Sequence, residues 1–242
     1  MAKPVLMVAV MHTKLAFDSG CRQCTRLATF LDDVKVKNPT YFCKPVPPFG
    51  DSNARLIVVG LAPGMHGANQ TGRPFTGDYA GILLYETLHQ YGFASKPQSV
   101  SASDDLQLNN CRITNAVKCL PPENKPLPVE ITTCNQFLAA ELQQLAPNSV
   151  ILALGKVAHL AVLKAFGLKI KGCKFGHAAQ HILPNGLILV DSYHCSRYNT
   201  QTKRLTEAMF HAVFEIIKTE LEGRQLTAIN NQIGTSCESY KN

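Results

Sequence analysis

Four cysteines in this chain have a spacing that suits metal ligation better than disulfide bonding. Cys21 and Cys24 form a CxxC pair, whose thiolates can point at one centre. Cys119 and Cys134 lie far downstream and flank a proline-rich stretch, so they can join the pair only if the fold brings them there. Such a site would tie the N-terminal segment to the middle of the chain. On spacing alone, both a zinc site and a redox-active dithiol remain possible.

The total number of cysteines indicates a reducing environment. There are nine, and an odd number argues against a fully paired secreted scaffold. In the cytoplasm thiols stay reduced, and a CxxC there is more often metal-binding or redox-active. We therefore expect a cytoplasmic protein. The cysteines not assigned to the metal are Cys43, Cys111, Cys173, Cys195 and Cys237.

A glycine-rich loop at residues 60–78 has the composition of a ligand-binding loop. Its glycines let the backbone approach a ligand and present N–H donors. It matches neither a Walker loop nor a dinucleotide-binding GxGxxG. Phe75 in this loop could stack on a planar ligand or pack against the helix expected to follow. Asp78 could supply a carboxylate to the site or cap that helix.

Two other positions carry hydrogen-bonding side chains at the ends of apolar runs. Asn115 offers a donor and an acceptor together, as reading the edge of an amide-like base requires, although capping a turn is the commoner use of Asn. His194 precedes a basic segment rich in Ser, Asn and Thr that suits phosphate contacts. A lone histidine is more often structural, but this placement favours a functional role.

The elements that position these residues alternate between strands and helices. Apolar runs typical of strands lie at residues 55–59, 111–117, 149–154 and 187–190. Helical periodicity occurs at residues 79–91, 129–145, 156–166 and 203–221. This alternation predicts an α/β fold, a three-layer sandwich with a central, mostly parallel sheet flanked by helices. Because ligands bind outside the carboxyl ends of such strands, we expect the loops there, including Gly155-Lys156, to form one shared site.

Size and composition indicate a single globular domain. The chain has 242 residues, of which 45% are hydrophobic and 17% charged. No apolar run approaches the roughly 18 residues that a membrane-spanning helix needs. The net charge of +7 favours a polyanionic partner. We expect an N-terminal extension at residues 1–20, one domain at 21–222 and a C-terminal tail at 223–242.

Together, the cysteines and the loops closely resemble the iron–sulfur uracil-DNA glycosylases of the family 5 (UDGb) type. The resemblance runs from about Cys21 to about Phe214. Leu61 is apolar as in family 5, whereas family 4 enzymes have a glutamate there. His194-Cys195-Ser196 departs from the His-Pro-Ser of many relatives. The matching segments are the four cysteines, 60–64 (GLAPG), His66-Gly67, 71–78 (TGRPFTGD), 114–126 (TNAVKCLPPENKP), 191–194 (DSYH) and 199–202 (NTQT).

The resemblance implies a uracil-DNA glycosylase-like fold and a monofunctional DNA glycosylase in base excision repair. It would hydrolyse the N-glycosidic bond of uracil in DNA, and of other deaminated bases such as hypoxanthine, after extruding the base. Phe75 would stack on the base, Asn115 would bind its edge and His194 would donate to the developing oxyanion. The implied catalytic residues are His194, Asp78 and Asn115. The implied base-binding residues are Gly60, Ala62, Gly64, Phe75, Asn115 and His194, and the implied DNA contacts are His66, Asn69, Ser196, Arg197 and Asn199.

The resemblance also implies a [4Fe–4S] cluster on Cys21, Cys24, Cys119 and Cys134, with a structural role. A Cys₄ zinc site usually has two short pairs, and here only one pair is short. The implied partner is DNA containing uracil or other deaminated bases. The protein would act as a monomer and would not bind a membrane. If it is bacterial, it would act at the nucleoid. Two alternatives are a non-catalytic iron–sulfur DNA-binding or damage-sensing module and a zinc-stapled nucleotide-binding protein.

Overall fold

A computed structural model describes the backbone of residues 17–237 and the side chains of residues 17–223. Most of the expected N-terminal extension and the last five residues of the expected tail lie outside the described residues. The strands are β1 (Phe49–Gly50), β2 (Leu56–Gly60), β3 (Cys111–Asn115), β4 (Val150–Leu154), β5 (Gln180–Ile182) and β6 (Ile188–Ser192). The helices are α1 (Thr25–Lys37), α2 (Ala68–Thr71), α3 (Tyr79–Gln90), α4 (Pro128–Leu142), α5 (Lys156–Ala165), α6 (Arg197–Gln201) and α7 (Glu207–Cys237).

The strands form one six-stranded sheet in the order β1-β3-β2-β4-β6-β5. The four inner strands are parallel, and the short edge strands β1 and β5 pair antiparallel with their neighbours. Every residue of β2, β4 and β6 is buried, because helices cover both faces of a parallel sheet. This explains why these strands appear in the sequence as continuous apolar runs, and it confirms the predicted mostly parallel α/β sheet.

Alternate residues of β2 show the three layers. Leu56 and Val58 pack into a core with residues of α3 and α7. Ile57 and Val59 face the opposite side and pack into a core with residues of α4 and α5. The sheet is therefore enclosed between two helical layers, which confirms the predicted three-layer sandwich.

Helices α1 and α7 differ from the helical segments that the sequence pattern predicted. α1 follows the CxxC pair and buries Leu27, Leu31 and Val34 against the segment after β3, in a third core that also contains Cys119 and Cys134. α7 runs on to Cys237, past the predicted domain boundary at residue 222. The described backbone at 223–237 is therefore helical, and the domain boundaries themselves stay predictions.

A buried ion pair anchors the glycine-rich loop after β2. Arg73 and Asp104 pair with side chains only 6% and 13% exposed, and Arg73 also donates to the carbonyl of Ala102 at 2.9 Å. Its guanidinium lies 4.3 Å from the ring centre of Phe49. Burial by itself would raise the pKa of Asp104, but hydrogen bonds from Arg73 and three backbone N–H groups lower that pKa to about 2.

We expect Arg73→Met to destabilise the fold by about 3–5 kcal/mol, because it leaves the Asp104 carboxylate buried without its partner. The pKa of Asp104 in the folded protein lies below the ordinary value of 3.8 for an aspartate. Its stabilising contribution is therefore complete above that value and is lost as the pH falls toward about 2. The gap in the free energy of unfolding between the variant and the wild type should be largest near neutral pH and should narrow in acid.

Urea unfolding at a series of pH values measures this gap. Arg22→Met is the matched control, since the Arg22–Asp32 pair has side chains 61% and 58% exposed and, as a solvent-screened surface pair, should contribute little to stability. Equal effects of the two substitutions would contradict an anchoring role for Arg73.

Candidate active site

The loops that follow β2, β3, β4 and β6 meet at the carboxyl edge of the sheet and line one cleft of about 470 Å³. The cleft brings together Asp78, Asn115 and His194, which are far apart in the sequence, together with Phe75 and Arg197. Because parallel strands end at the same edge, four separate loops can contribute to one site. The structure thus forms the shared site that the loop positions predicted.

Phe75 forms an aromatic wall of the cleft. Its ring lies nearly parallel to the imidazole of His194, with ring centres 6.0 Å apart and planes 25° apart. Its backbone has φ +58°, a left-handed conformation that is uncommon for a bulky residue and is held here by the surrounding loop. The Phe75 carbonyl rests so close to α3 that any side chain at Gly81 would overlap with it. The ring of Phe75 therefore lines the cleft and its backbone packs on the helix, while stacking on a ligand stays a prediction.

Asn115 lies at the inner end of the cleft with a side chain free to bind a ligand. The residue is 4% exposed. The pairing of β3 with β2 continues beyond it, since Ala116 N–H donates to the carbonyl of Gly60 at 2.9 Å and Val117 N–H to that of Leu61 at 3.0 Å. Within the described part of the chain, its side-chain amide has no hydrogen-bond partner. The backbone alone therefore aims this amide into the cleft.

His194 follows β6 and is held through its backbone. Its carbonyl accepts a hydrogen bond from the side-chain amide of Asn199 at 2.8 Å. Its Nδ1 is buried and has no partner among the described residues. Burial lowers the pKa of His194 to about 4, so the imidazole is neutral at pH 7.

Asp78 turns its carboxylate into the glycine-rich loop. It occupies the position before α3, but its side chain makes no capping bond to that helix. Instead its Oδ2 accepts from the N–H of Ala68 at 3.1 Å, and any side chain at Gly64 or Gly67 would overlap with the carboxylate. Burial raises the pKa of Asp78, while the Ala68 hydrogen bond and nearby His66 oppose this rise. The capping role is therefore not observed, and the carboxylate contributes to the cleft wall.

The residues expected to contact DNA fall into two groups. Ser196 and Arg197 line the cleft, and His66 is exposed nearby, hydrogen-bonded through Nδ1 to the Tyr41 hydroxyl at 2.7 Å. Asn69, by contrast, is fully buried, and its amide donates to the sulfur of Cys43 at 3.5 Å. The structure does not place Asn69 on a surface that DNA could reach.

Asn199 also has a different contact from the one expected of it. Its side chain bonds the carbonyl of His194, and its own N–H donates to the Ser196 hydroxyl at 3.4 Å, which caps the start of α6. Its observed contacts therefore order the turn that carries His194.

Asn124 and Lys156 are cleft residues to which the sequence assigned no individual role. Asn124 lies in the short 3₁₀ turn Pro122–Asn124 with φ +57°, and it lines the cleft from the proline-rich loop. Lys156 begins α5 directly after Gly155, whose φ is +95°. Asn tolerates left-handed backbone between prolines, and a Gly-Lys pair after a buried strand is a loop signal. Neither pattern indicates by itself that the side chain faces the cleft.

The four predicted metal ligands surround a second, small cavity. Cys21, Cys24, Cys119 and Cys134 all line it, and none of the described cysteines forms a disulfide. The Cys134 sulfur accepts a hydrogen bond from the N–H of Lys118 at 3.3 Å. Burial, and after it the charges of the other three sulfurs, raise the pKa of Cys119 to about 12. Four thiolates that face one small cavity need a cation among them, so the donor set fits a thiolate-bound metal centre.

A buried polar network supports the strand before His194. Asp191 accepts from His159 Nδ1 at 2.8 Å and from His181 Nε2 at 3.2 Å, and His159 Nε2 donates to the carbonyl of Cys173 at 2.9 Å. His159 and Asp191 are fully buried. These bonds join α5, β5 and β6 beneath the turn that carries His194.

None of the described helices is both long and apolar enough to cross a membrane.

Comparison with known proteins agrees with this architecture. The model of the Uracil DNA glycosylase superfamily matches residues 47–218. A type-5 uracil-DNA glycosylase of Thermus thermophilus is 46% identical over 197 residues, covering 79% of this chain and 90% of the relative. A type-5 enzyme of Pyrobaculum aerophilum is 42% identical, covering 77% and 83%. A type-4 enzyme of Archaeoglobus fulgidus is 36% identical but covers only 51% and 55%. Since the type-5 relatives match over most of their length, the chain belongs to the type-5 family of the uracil-DNA glycosylase superfamily.

Proposed function

We propose that this protein is a monofunctional DNA glycosylase that releases uracil from DNA by hydrolysis, in base excision repair. The observation that carries the proposal is the convergence of Phe75, Asn115, His194 and Asp78 on one cleft. The type-5 relatives are named for this activity. The non-catalytic alternative has less support, because a neutral imidazole and a free amide in the cleft are groups that base release requires.

Base recognition follows from the aromatic wall and the free amide. An extruded base stacks on Phe75, and its edge bonds the amide of Asn115. Uracil presents a carbonyl where cytosine presents an amine, so an amide oriented for uracil meets an unpaired group in cytosine. Hypoxanthine also presents a carbonyl on its edge, and the proposal extends to such deaminated bases.

The bond cleavage gives an oxocarbenium-like sugar and a uracil anion. His194, neutral because burial lowers its pKa to about 4, donates a ring N–H to the oxygen on which the charge develops. A water then attacks C1′ of the sugar. The proton that this water loses passes through a general base to solvent. Asp78 is the carboxylate proposed to orient this water, since Gly64 and Gly67 leave room for it at the cleft wall.

The DNA backbone would lie along the rim of the cleft. Arg197 is exposed there, with its guanidinium 4.9 Å from the ring centre of Tyr79, and Ser196 and Lys156 lie beside it. Together with His66 these groups offer donors to phosphate oxygens. The proposed partner is DNA containing deaminated bases, bound by a monomer in the cytoplasm and, in a bacterium, at the nucleoid.

We further propose that Cys21, Cys24, Cys119 and Cys134 hold a [4Fe–4S] cluster. In a tetrahedral zinc site with Zn–S bonds of about 2.3 Å, the sulfurs lie about 3.8 Å apart. Among the described residues, only His159, His181 and Asp191 have three potential ligand atoms within 4.8 Å of one another, so no three of the cysteine sulfurs are that close. This spacing supports a centre larger than one zinc ion. When bound, the cluster would supply metal–thiolate bonds that cross-link α1, α4 and the segment after β3.

We expect Cys119→Ser to remove the cluster, because the substitution takes away a central thiolate. The purified variant should lose the absorbance near 400 nm and most of its iron, and it should unfold at a lower temperature than the wild type. Cys173→Ser is the control, since Cys173 is half-buried and lies outside this cavity. A colourless wild-type protein that contains zinc would contradict the cluster.

The activity is tested on synthetic duplexes that carry one uracil opposite guanine or adenine. Enzyme in excess should release the base, and alkali should then cleave the strand at the resulting abasic site. Matched duplexes with cytosine or thymine should remain intact, and a hypoxanthine duplex tests the wider substrate range. Binding without cleavage of any deaminated-base duplex would refute the enzyme and support the non-catalytic module.

A further inference from the structure

Lys118 is a buried lysine that lies outside the substrate cleft. Its side chain is 2% exposed, and its Nζ donates to the hydroxyl of Thr114 and to Oε1 of Glu141, the latter at 2.6 Å. The Glu141 side chain is 15% exposed. Neither Lys118 nor its two partners lines the cleft, and the mechanism proposed above does not use them.

Stability alone does not account for this ion pair. Removing two charges from water is unfavourable, and apolar residues of similar size often stabilise a fold as well or better. The second oxygen of Glu141, Oε2, is also buried without a hydrogen-bond partner among the described residues. A buried polar atom left unsatisfied is a further energetic cost. The ion pair therefore fills this space at a higher cost in free energy than apolar side chains would.

The contacts of Lys118 connect a strand end to one face of α4. Cys134 and Glu141 are seven residues apart on α4, which is close to two turns, so they lie on the same face of that helix. Lys118 bonds both, the first through its N–H at 3.3 Å and the second through its Nζ. Through the Thr114 hydroxyl, the same Nζ also holds the last residues of β3. The backbone and the side chain of Lys118 thus fix this strand end at two points along α4.

The residue next to Thr114 is Asn115, whose amide faces the cleft without a partner of its own. Its aim depends on its backbone, which the bonds from Ala116 and Val117 hold on one side. The Thr114–Lys118 contact holds it on the other. A displacement of about 1 Å in such a group can lower a rate about 100-fold.

We infer that Lys118, with Glu141 and Thr114, is a positioning residue that holds Asn115 in register with an extruded base. This inference rests on the proposed function, because it concerns the same base-reading amide. Lys118 does not touch the base, and it acts through the backbone of Asn115. The Lys118–Glu141 pair would also make the base site more rigid, because it links that site to the face of α4 that carries Cys134.

The test replaces the pair by apolar side chains, Lys118→Met with Glu141→Leu, so that no charge stays buried alone. The single-turnover rate of uracil release should fall about 10–100-fold, while DNA affinity and the absorbance near 400 nm are retained. Thr114→Val keeps the ion pair and removes only the contact to the strand. It should fold normally and give a smaller loss of rate in the same direction.

A double-mutant cycle with Asn115→Ala separates positioning from a general structural role. If the pair acts through Asn115, its replacement should change the rate less than about threefold in the Asn115→Ala background. An equal fold-loss in both backgrounds, or wild-type rates in both the paired replacement and Thr114→Val, would overturn the inference. Wild-type protein is assayed in parallel. Its failure to release any deaminated base would refute the proposed function, which is a different outcome.

Discussion

His194→Ala should lower the single-turnover rate of uracil release by about 10²–10³-fold while leaving the affinity for DNA within a few fold. The imidazole lies in the cleft against the ring of Phe75, and its backbone is held independently by Asn199. The substitution therefore removes a donor without releasing the turn that carries it. Because the donor acts on charge that develops only as the bond breaks, its loss affects the rate far more than ground-state binding.

The pH dependence tests the protonation state of this donor. Burial lowers the pKa of His194 to about 4, so the ring should stay neutral from about pH 5 upward and produce no titration near 6.5, the ordinary pKa of histidine. In the unfolded chain this histidine is protonated below that ordinary pKa of 6.5, so its contribution to stability is complete above pH 6.5 and is lost as the pH falls toward 4. An acid limb in the rate should instead reflect Asp78, whose pKa burial raises, and should disappear in Asp78→Asn.

His89→Ala is the matched control for His194→Ala. His89 is exposed on the last turn of α3, where its ring bonds the carbonyl of Ala94 at 3.0 Å, and it lies outside the cleft. The His89→Ala variant should cleave uracil-containing DNA at the wild-type rate. Equal losses of DNA binding and cleavage in His194→Ala would show that His194 has a structural role.

The inner strands and their loops could be predicted from sequence because burial on both faces leaves a continuous apolar run. The edge strands Phe49–Gly50 and Gln180–Ile182 have two and three residues, too few for any pattern to be visible. α1 was expected only as a segment held by the metal site, because its extent depends on packing against the segment after β3. The local sequence pattern thus predicts a strand or helix where that element is long enough and uniformly buried.

The site shows a similar division. The strand-end positions of Asn115 and His194 led to the cleft, but the same reasoning could not separate Asn69 from Asn124. Both are asparagines in polar loops, and only the fold buries the first and turns the second into the cleft. The orientation of Asp78 likewise depends on Gly64 and Gly67, which lie beside it only in the folded loop.

Gly60→Ala should lower uracil release by at least about 100-fold while preserving the fold and the absorbance near 400 nm. A methyl group at Gly60 would overlap with Oδ1 of Asn115 and lie 2.7 Å from the ring of Phe75. Both contacts are with side-chain atoms, so the overlap falls on the Asn115 amide and the Phe75 ring and not on the backbone. Because both side chains are buried, we expect this overpacking to lower the free energy of unfolding by about 1–3 kcal/mol.

The catalytic effect should be large for the same reason. The movement that relieves the overlap would displace the amide proposed to read the base and the ring proposed to stack on it. Gly176→Ala is the matched control, because a methyl group there would lie 3.6 Å from Ala179, an ordinary contact, and it should cleave at the wild-type rate. If Gly60→Ala also cleaves at that rate, the base does not lie between Phe75 and Asn115, and the assignment of the cleft would have to be revised.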